Sequence, residues 1–255
     1  MTYLHALILG IIEGISEFLP ISSTGHLILT SHLLHLEQTD FQKSFEIAIQ
    51  LGATLSVVVL YWQTLLVNLA VLKRVFLAFI PTAILGFTFY KIIKGVLLGS
   101  NTVVLCSLLM GGFFLILFEF WHREKESASE ELSDISYSKS FMIGLFQAVA
   151  MIPGVSRSAA TIIGGLALGI KRRTIVEFSF LLSVPTMVAA TGLDLIKSGG
   201  HFSSEELHLL LTGFIASFIV ALLSIKWLIH FIKNHTFISF GIYRMLISLF
   251  FWLVI

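Results

Sequence analysis

Residues 13–26 read Glu13-Gly-Ile-Ser-Glu17-Phe-Leu-Pro20-Ile-Ser22-Ser23-Thr24-Gly25-His26, and they lie at the centre of an otherwise apolar run from Tyr3 to Leu34. Two carboxylates, a proline, four hydroxyls and an imidazole are out of place in the middle of a lipid-spanning helix, where each ionised group costs at least about 2.5 kcal/mol. The apolar pieces on either side are too short to cross a bilayer, which takes about 20 helical residues. Non-helical backbone at membrane depth survives only where protein or a water-filled cavity satisfies its polar groups. The run is therefore predicted to be a re-entrant hairpin of two short helices, with one continuous kinked helix as the alternative.

Composition supports a membrane setting for that stretch. Of 255 residues, 56% are hydrophobic and 12% charged, about half the charge of a soluble domain, which carries about a quarter. A soluble globular protein is excluded. With 23 Phe, 5 Tyr and 4 Trp the chain carries too much apolar surface to remain disordered. A net charge of +1 provides no field to gather nucleic acid, so the expected partner is the lipid bilayer. Cys106 stands alone in an apolar run and has no disulfide partner in the chain. The N-terminal stretch is expected to remain in the protein and not to be a cleaved signal, because the first lysine is Lys43 and Glu13 and Glu17 interrupt the apolar stretch.

Six further stretches have the length and character of spans: Phe45–Trp62, Val75–Tyr90, Thr102–Trp121, Ile175–Ile196, Leu207–Leu228 and Phe237–Ile255. The second is short and needs its flanks. A second broken run, Ser140–Ile170, is interrupted at Ile152-Pro153-Gly154-Val155-Ser156-Arg157-Ser158 and is predicted to be another re-entrant hairpin. Gly10, Glu13, Pro20 and Ser23 align with Gly144, Gln147, Pro153 and Ser156, and Glu46 aligns with Glu177. The pattern predicts an all-α polytopic membrane protein with an inverted-topology repeat, each half one hairpin plus three transmembrane helices. Residues 1–121 form the first half, 122–139 a solvated polar linker, and 140–255 the second half. In this architecture broken helices meet at a polar site near the bilayer midplane.

If each hairpin returns to the side it entered, one side collects Lys73, Arg74, Arg123, Lys125, Lys139, Lys171, Arg172, Arg173, Lys226 and Lys233. The other collects Lys43, Lys91, Lys94 and Lys197, with Arg157 and Arg244 left inside the membrane layer. The basic excess marks the cytoplasmic side, which places both termini outside.

The polar residues of the hairpins are the candidate site. Glu13 and Glu17, four apart, share one helix face. They suit a hard divalent cation, or one of them suits acid–base work; the alternative is a pair satisfied by neighbouring helices. Ser22, Ser23 and Thr24 suit phosphate oxygens near a helix start, while Ser22 and Thr24 also suit capping. Ser23 is the candidate nucleophile and His26 its proton-transfer partner, with attack by water or by His26 left open. Arg157 suits a phosphate clamp or an internal ion pair with a glutamate. Gln147, Ser156, Ser158 and Thr161 complete the candidate phosphate-binding set. Glu17, Ser23, His26 and Arg157 form the catalytic set, and Glu13 and Glu17 the metal-binding pair. Two carboxylates, a hydroxyl nucleophile, an imidazole and a guanidinium suit cleavage of a phosphoanhydride on a lipid carrier; a transporter or flippase of a polyprenyl phosphate is the competing reading.

The segments 13–26 and Pro153-Gly-Val-Ser-Arg-Ser158-Ala-Ala-Thr161 closely resemble the two signature segments of the undecaprenyl-diphosphate phosphatase family, the BacA/UppP family of bacterial inner-membrane enzymes. The resemblance extends to Phe45-Glu46-Ile-Ala-Ile-Gln50-Leu-Gly52-Ala and to Glu177-Phe-Ser-Phe-Leu-Leu-Ser-Val-Pro185, and so covers nearly the whole chain. It implies removal of the terminal phosphate of undecaprenyl diphosphate, recycling of the lipid carrier for cell-wall synthesis, and bacitracin tolerance. It also implies a divalent cation, Mg²⁺ or Ca²⁺, and an active site open to the periplasm. The sequence leaves open whether the chain works as a monomer or a homodimer.

Overall fold

The computed structural model describes residues 1–37, 39–92, 100–124, 128–198 and 202–254. Its α-helices are α1 (Tyr3–Ser16), α2 (Ser23–Leu33), α3 (Asp40–Leu60), α4 (Trp62–Val67), α5 (Leu69–Ile92), α6 (Asn101–Trp121), α7 (Tyr137–Val149), α8 (Arg157–Ala167), α9 (Arg172–Ser198), α10 (Ser204–Phe231) and α11 (Ile238–Val254). There is no strand among the described residues, only an isolated bridge between Ser129 and Ile170.

Among the described residues five helices, α3, α5, α6, α9 and α10, are long and apolar enough to cross a membrane. The predicted short span at Val75 begins six residues earlier, at Leu69, which supplies the missing length. The predicted span Phe237–Ile255 is the 17-residue α11, about 25 Å long at 1.5 Å per residue, the short end of what crosses hydrocarbon. Leu66, Phe76, Phe87, Trp121, Leu223 and Leu253 are all exposed on the outer face, an apolar surface far beyond what water tolerates on a monomer.

Both broken runs fold as helix pairs. In the second, the end of α8 returns to the start of α7: Lys139 Nζ donates to Gly169 O at 3.3 Å, and a Cβ on Gly164 of α8 would overlap Phe146 of α7. In the first, Ala6 and Leu9 of α1 share an apolar cluster with Leu27 of α2 and with Leu36 beyond it. The two hairpin bases have different neighbours. The base of the first lies beside Phe41 and Phe202, at the starts of α3 and α10. The base of the second lies beside Ser129 and Lys171, near the end of α6 and the start of α9.

Each hairpin packs on the other half of the chain. Helix α1 lies against α10, and α7 against α5; α10 also packs on α3 and α5 on α9, while α3 meets α9 and α6 meets α11. Glycine permits the first two approaches. A Cβ on Gly10 would lie 2.5 Å from Gly213 O, and one on Gly144 would overlap Ala78 O.

The linker differs from the sequence expectation. Lys125 lies outside the described residues, but from Ala128 onward the segment is docked through its backbone and Ile135 while its acidic side chains stay exposed. Ser129 N donates to Gly169 O at 3.1 Å and Lys171 N to Ser129 O at 3.0 Å. Arg74 Nε donates to Ile135 O, and Ile135 is fully buried. An apolar residue in the middle of the polar segment anchors it. Lys94 also lies outside the described residues, as do the side chains of Lys91 and Lys197.

Candidate active site

The two hairpin tips meet inside the helix bundle. Ser22 has φ 73° and ψ 91°, and its side chain accepts from Gly25 N at the start of α2. Ser156 has φ 78° and ψ 116° and accepts from Ala159 N at the start of α8. Positive φ is uncommon outside glycine, so this shared conformation is informative. In backbone conformation Ser22 matches Ser156, whereas the sequence pattern pairs Ser23 with Ser156. The interval of 134 residues that relates Glu13 to Gln147 then continues through the turn, and Ser23 corresponds to Arg157 as the first residue of its helix.

A cavity of about 200 Å³ lies between the tips, lined by Glu17, Ser22, Ser23 and Thr24 from the first hairpin and by Gln147, Ser156 and Arg157 from the second. Ser23 Oγ donates to Glu17 Oε2 at 2.5 Å. Arg157 Nη2 donates to the other oxygen, Glu17 Oε1, at 3.0 Å, and Nη1 donates to Ser179 O at 2.9 Å. Arg157 Nε is buried and has no hydrogen-bond partner among the described residues. One carboxylate thus holds a hydroxyl from its own hairpin and a guanidinium from the other.

Glu13 is fully buried, and neither of its oxygens has a hydrogen-bond partner among the described residues. Its charged neighbours are Glu17, Glu46 and Arg157. A buried carboxylate without a partner carries a large desolvation cost, and two adjacent oxygen-donor groups fit a hard divalent cation. No group of three His, Cys, Asp or Glu side chains among the described residues forms a complete cage. A Mg²⁺ ion usually needs none, because it takes one or two carboxylates and completes its shell with water and substrate phosphate.

Glu13 does not itself line the cavity, and three further sequence-predicted residues lie outside it. The His26 ring nitrogens are taken up by Ser22 O and by Tyr243 OH, each at 2.8 Å, and the ring stacks on Tyr243; it does not reach Ser23. Ser158 is buried and donates to Leu19 O at 2.7 Å, tying the second hairpin to the first. Thr161 is buried behind Arg157, bonded to Arg157 O at 3.0 Å and to Ser179 Oγ at 2.6 Å. Neither Ser158 nor Thr161 lines the cavity.

Gln50, Thr82 and Thr186 also line the cavity and were not picked out as site residues from sequence. Thr82 accepts from Gln147 Nε2 at 2.8 Å and donates to Gly144 O at 3.1 Å. The sequence did carry a signal for the two threonines. The chain has four prolines: Pro20 and Pro153 mark the tips, and Pro81 and Pro185 each precede a lining threonine inside a long helix. A proline within a helix frees the carbonyl four residues earlier, a polarity tolerated at membrane depth beside a cavity or a protein partner.

The helices and this cavity define a multi-pass helical membrane protein with a buried site built from two broken helix pairs. The sequence model of the family described as bacitracin resistance protein BacA matches residues 6–250, and the chain belongs to that family. Among its relatives, the undecaprenyl-diphosphatase of Aquifex aeolicus (strain VF5) is 55% identical over 249 residues, 98% of this chain and 97% of that protein. The undecaprenyl-diphosphatase of Persephonella marina (strain DSM 14350 / EX-H1) is 52% identical over the full length of both chains. That of Methanococcus aeolicus, 42% identical, aligns over 96% of each.

Proposed function

We propose that this chain hydrolyses undecaprenyl diphosphate to undecaprenyl phosphate and inorganic phosphate, returning the lipid carrier to cell-wall synthesis and conferring bacitracin tolerance. The observation that carries the reaction is the hydrogen bond from Ser23 Oγ to Glu17 Oε2 at 2.5 Å, made at a cavity wall with Arg157 on the same carboxylate. An alcohol is a weak nucleophile until a base takes its proton, and Glu17 is placed to do so. Ser23 Oγ attacks the terminal phosphorus as Glu17 accepts the proton. The bond from that phosphorus to the bridging oxygen breaks, and the carrier leaves as its monophosphate. Glu17 gives up that proton to the departing monophosphate; water then attacks the phosphoserine, giving a proton to Glu17, which passes it to Ser23 Oγ as the bond from phosphorus to Oγ breaks and phosphate departs. Arg157 offsets the charge on the phosphoryl oxygens, the role a guanidinium plays in phosphoryl transfer. The starts of α2 and α8 converge on the same cavity, and helix N-termini favour anions. Glu13, with Glu17 beside it, would hold a Mg²⁺ or Ca²⁺ ion, which when bound supplies further positive charge to the phosphate oxygens.

Residues 1–121 and 140–255 are read as inverted repeats. Support comes from the matched packing of α1 on α10 and α7 on α5, and from the shared turn at Ser22 and Ser156. The protein is placed in the bacterial inner membrane, with both termini outside and the site open to the periplasm. The reading of the opposite end as the substrate's entrance is supported by the contacts at the basic end, where Arg172 Nη2 pairs with Glu119 at 3.1 Å, Lys171 pairs with Glu130 and the linker is bound beside the second hairpin.

Purified protein in detergent, where no transport is possible, is expected to release phosphate from undecaprenyl diphosphate and to trap a phosphoenzyme on rapid quench. Ser23→Ala is expected to lose both, with turnover down at least about 10⁴-fold. Retention of a substantial fraction of kcat by Ser23→Ala would demote the serine to a phosphate ligand and transfer the attack to water.

A further inference from the structure

Arg244 on α11 is fully buried, lies outside the cavity lining, and has no carboxylate partner among the described residues. Its guanidinium instead donates to three backbone carbonyls: Nη1 to Pro20 O at 3.3 Å, and Nη2 to Gly154 O at 2.9 Å and Ser107 O at 3.1 Å. Pro20 and Gly154 sit in the two hairpin tips, separated by the same 134 residues as Ser22 and Ser156. One side chain therefore joins equivalent points of both hairpins. The neighbouring helix is carved to admit it. A Cβ on Gly111 of α6 would overlap the Arg244 guanidinium, and one on Gly112 would lie 2.6 Å from Gly241 O of α11. The preceding residue, Tyr243, holds His26 of α2, so α11 grips the first hairpin at two points.

A buried cation without a counter-ion costs several kcal/mol, and an apolar residue of similar volume would avoid that cost. What an apolar residue lacks is a rigid fork of donors able to bind carbonyls from three separate segments. We propose that Arg244 is a positioning residue for the reaction: it fixes the separation of the two tips and so the alignment of Ser23 and Glu17 in one with Arg157 in the other. The inference rests on the assignment of those three as the reacting groups.

Two variants test it by steady-state phosphate release from undecaprenyl diphosphate. Arg244→Lys keeps the charge and loses the fork. Gly111→Ala keeps the arginine and pushes its guanidinium away from Ser107 O and Gly154 O. A misplacement of about 1 Å can cost about 10²-fold in rate, so each variant is expected to lower kcat by that order, with KM within about twofold of wild type. The comparison uses protein whose elution and thermal melting match wild type, and where only one variant meets that standard, it decides. Wild-type kcat overturns the proposal. A raised KM with unchanged kcat overturns it by making Arg244 a docking residue, and collapse of both variants overturns it by making Arg244 a requirement of the fold. Failure of the underlying reading is separate: Ser23→Ala with wild-type turnover would remove the reacting groups whatever the Arg244 variants do.

Discussion

In the first hairpin a serine with φ 73° caps an 11-residue helix that begins with Ser23; in the second, a serine with φ 78° caps an 11-residue helix that begins with Arg157. The backbones agree, and the side chains that follow are opposite in chemistry. Where the first hairpin carries Glu13, Glu17 and Ser23, the same interval in the second gives Gln147, Met151 and Arg157. The first tip supplies the hydroxyl and the acids, the second a cation and neutral walls. A shared turn is enough to build a cradle for an anion from two helix starts, whereas hydrolysis needs a nucleophile and base on one side of phosphorus and positive charge around it. Symmetry of the fold and asymmetry of the chemistry are therefore separate properties, and substitutions can address each one.

The largest effect on this comparison is expected from Glu17→Gln, which keeps the shape but removes the charge that both tips share. It takes the base from Ser23 and the counter-ion from Arg157, and kcat should fall about 10³–10⁴-fold, the range for loss of general-base catalysis. Near-wild-type turnover in this variant would mean that the carboxylate is only a structural link between the hairpins.

Arg157→Lys asks how far the second tip depends on the guanidinium fork and not on charge alone. Lysine is a point charge without two-pronged geometry, and the expected result is a fall in kcat of about 10²-fold with little change in KM, the signature of an interaction made in the transition state. A change confined to KM would reduce the second hairpin to substrate docking.

Glu13→Gln makes the first tip match the second, where Gln147 already stands. Titration of phosphate release with Mg²⁺ and Ca²⁺ should show the half-maximal cation concentration raised about tenfold or more, since one carboxylate of a hard-cation site is lost. The mirror change, Gln147→Glu, is expected to leave that concentration unaltered, because Gln147 faces Thr82 and not Glu17. An unchanged titration in Glu13→Gln would remove Glu13 from the cation site.

The smallest effects are expected at the shared turn. Ser22→Gly and Ser156→Gly each lose a capping side chain but relieve a positive φ, and glycine is only a few tenths of a kcal/mol poorer than serine as a cap. Both should shift stability by less than about 1 kcal/mol, by similar amounts, in thermal unfolding. A large difference between them would mean that the two turns do not bear equivalent loads.

The sequence by itself determined that the chain lives in lipid, that it has two broken helix pairs, and that the polar residues at the breaks belong to one another. These follow from short-range pattern: apolar runs of spanning length, proline and glycine at fixed places, and charges too costly to place in hydrocarbon without a purpose. The internal repeat proposed from the sequence is one residue out of register with the backbone at the turn, because Pro20 and Pro153 look like equivalents while the shared turn of Ser22 and Ser156 sets Gly154 opposite Pro20. Which side chain meets which was decided only by tertiary structure. Ser23 and His26 are three apart on one helix, yet side chains on a helix lean toward its N-terminus. His26 reaches back to Ser22 O and sideways to Tyr243, 217 residues away, leaving Ser23 to Glu17 across a non-helical turn where helical spacing says nothing. Ser158 on Leu19 O, Glu17 on Arg157 and Arg244 on both tips are likewise bonds between residues 90 or more apart in the chain. Such pairings depend on how whole helices dock, through contacts as close as Gly10 on Gly213 and Gly144 on Ala78, and no local pattern encodes them.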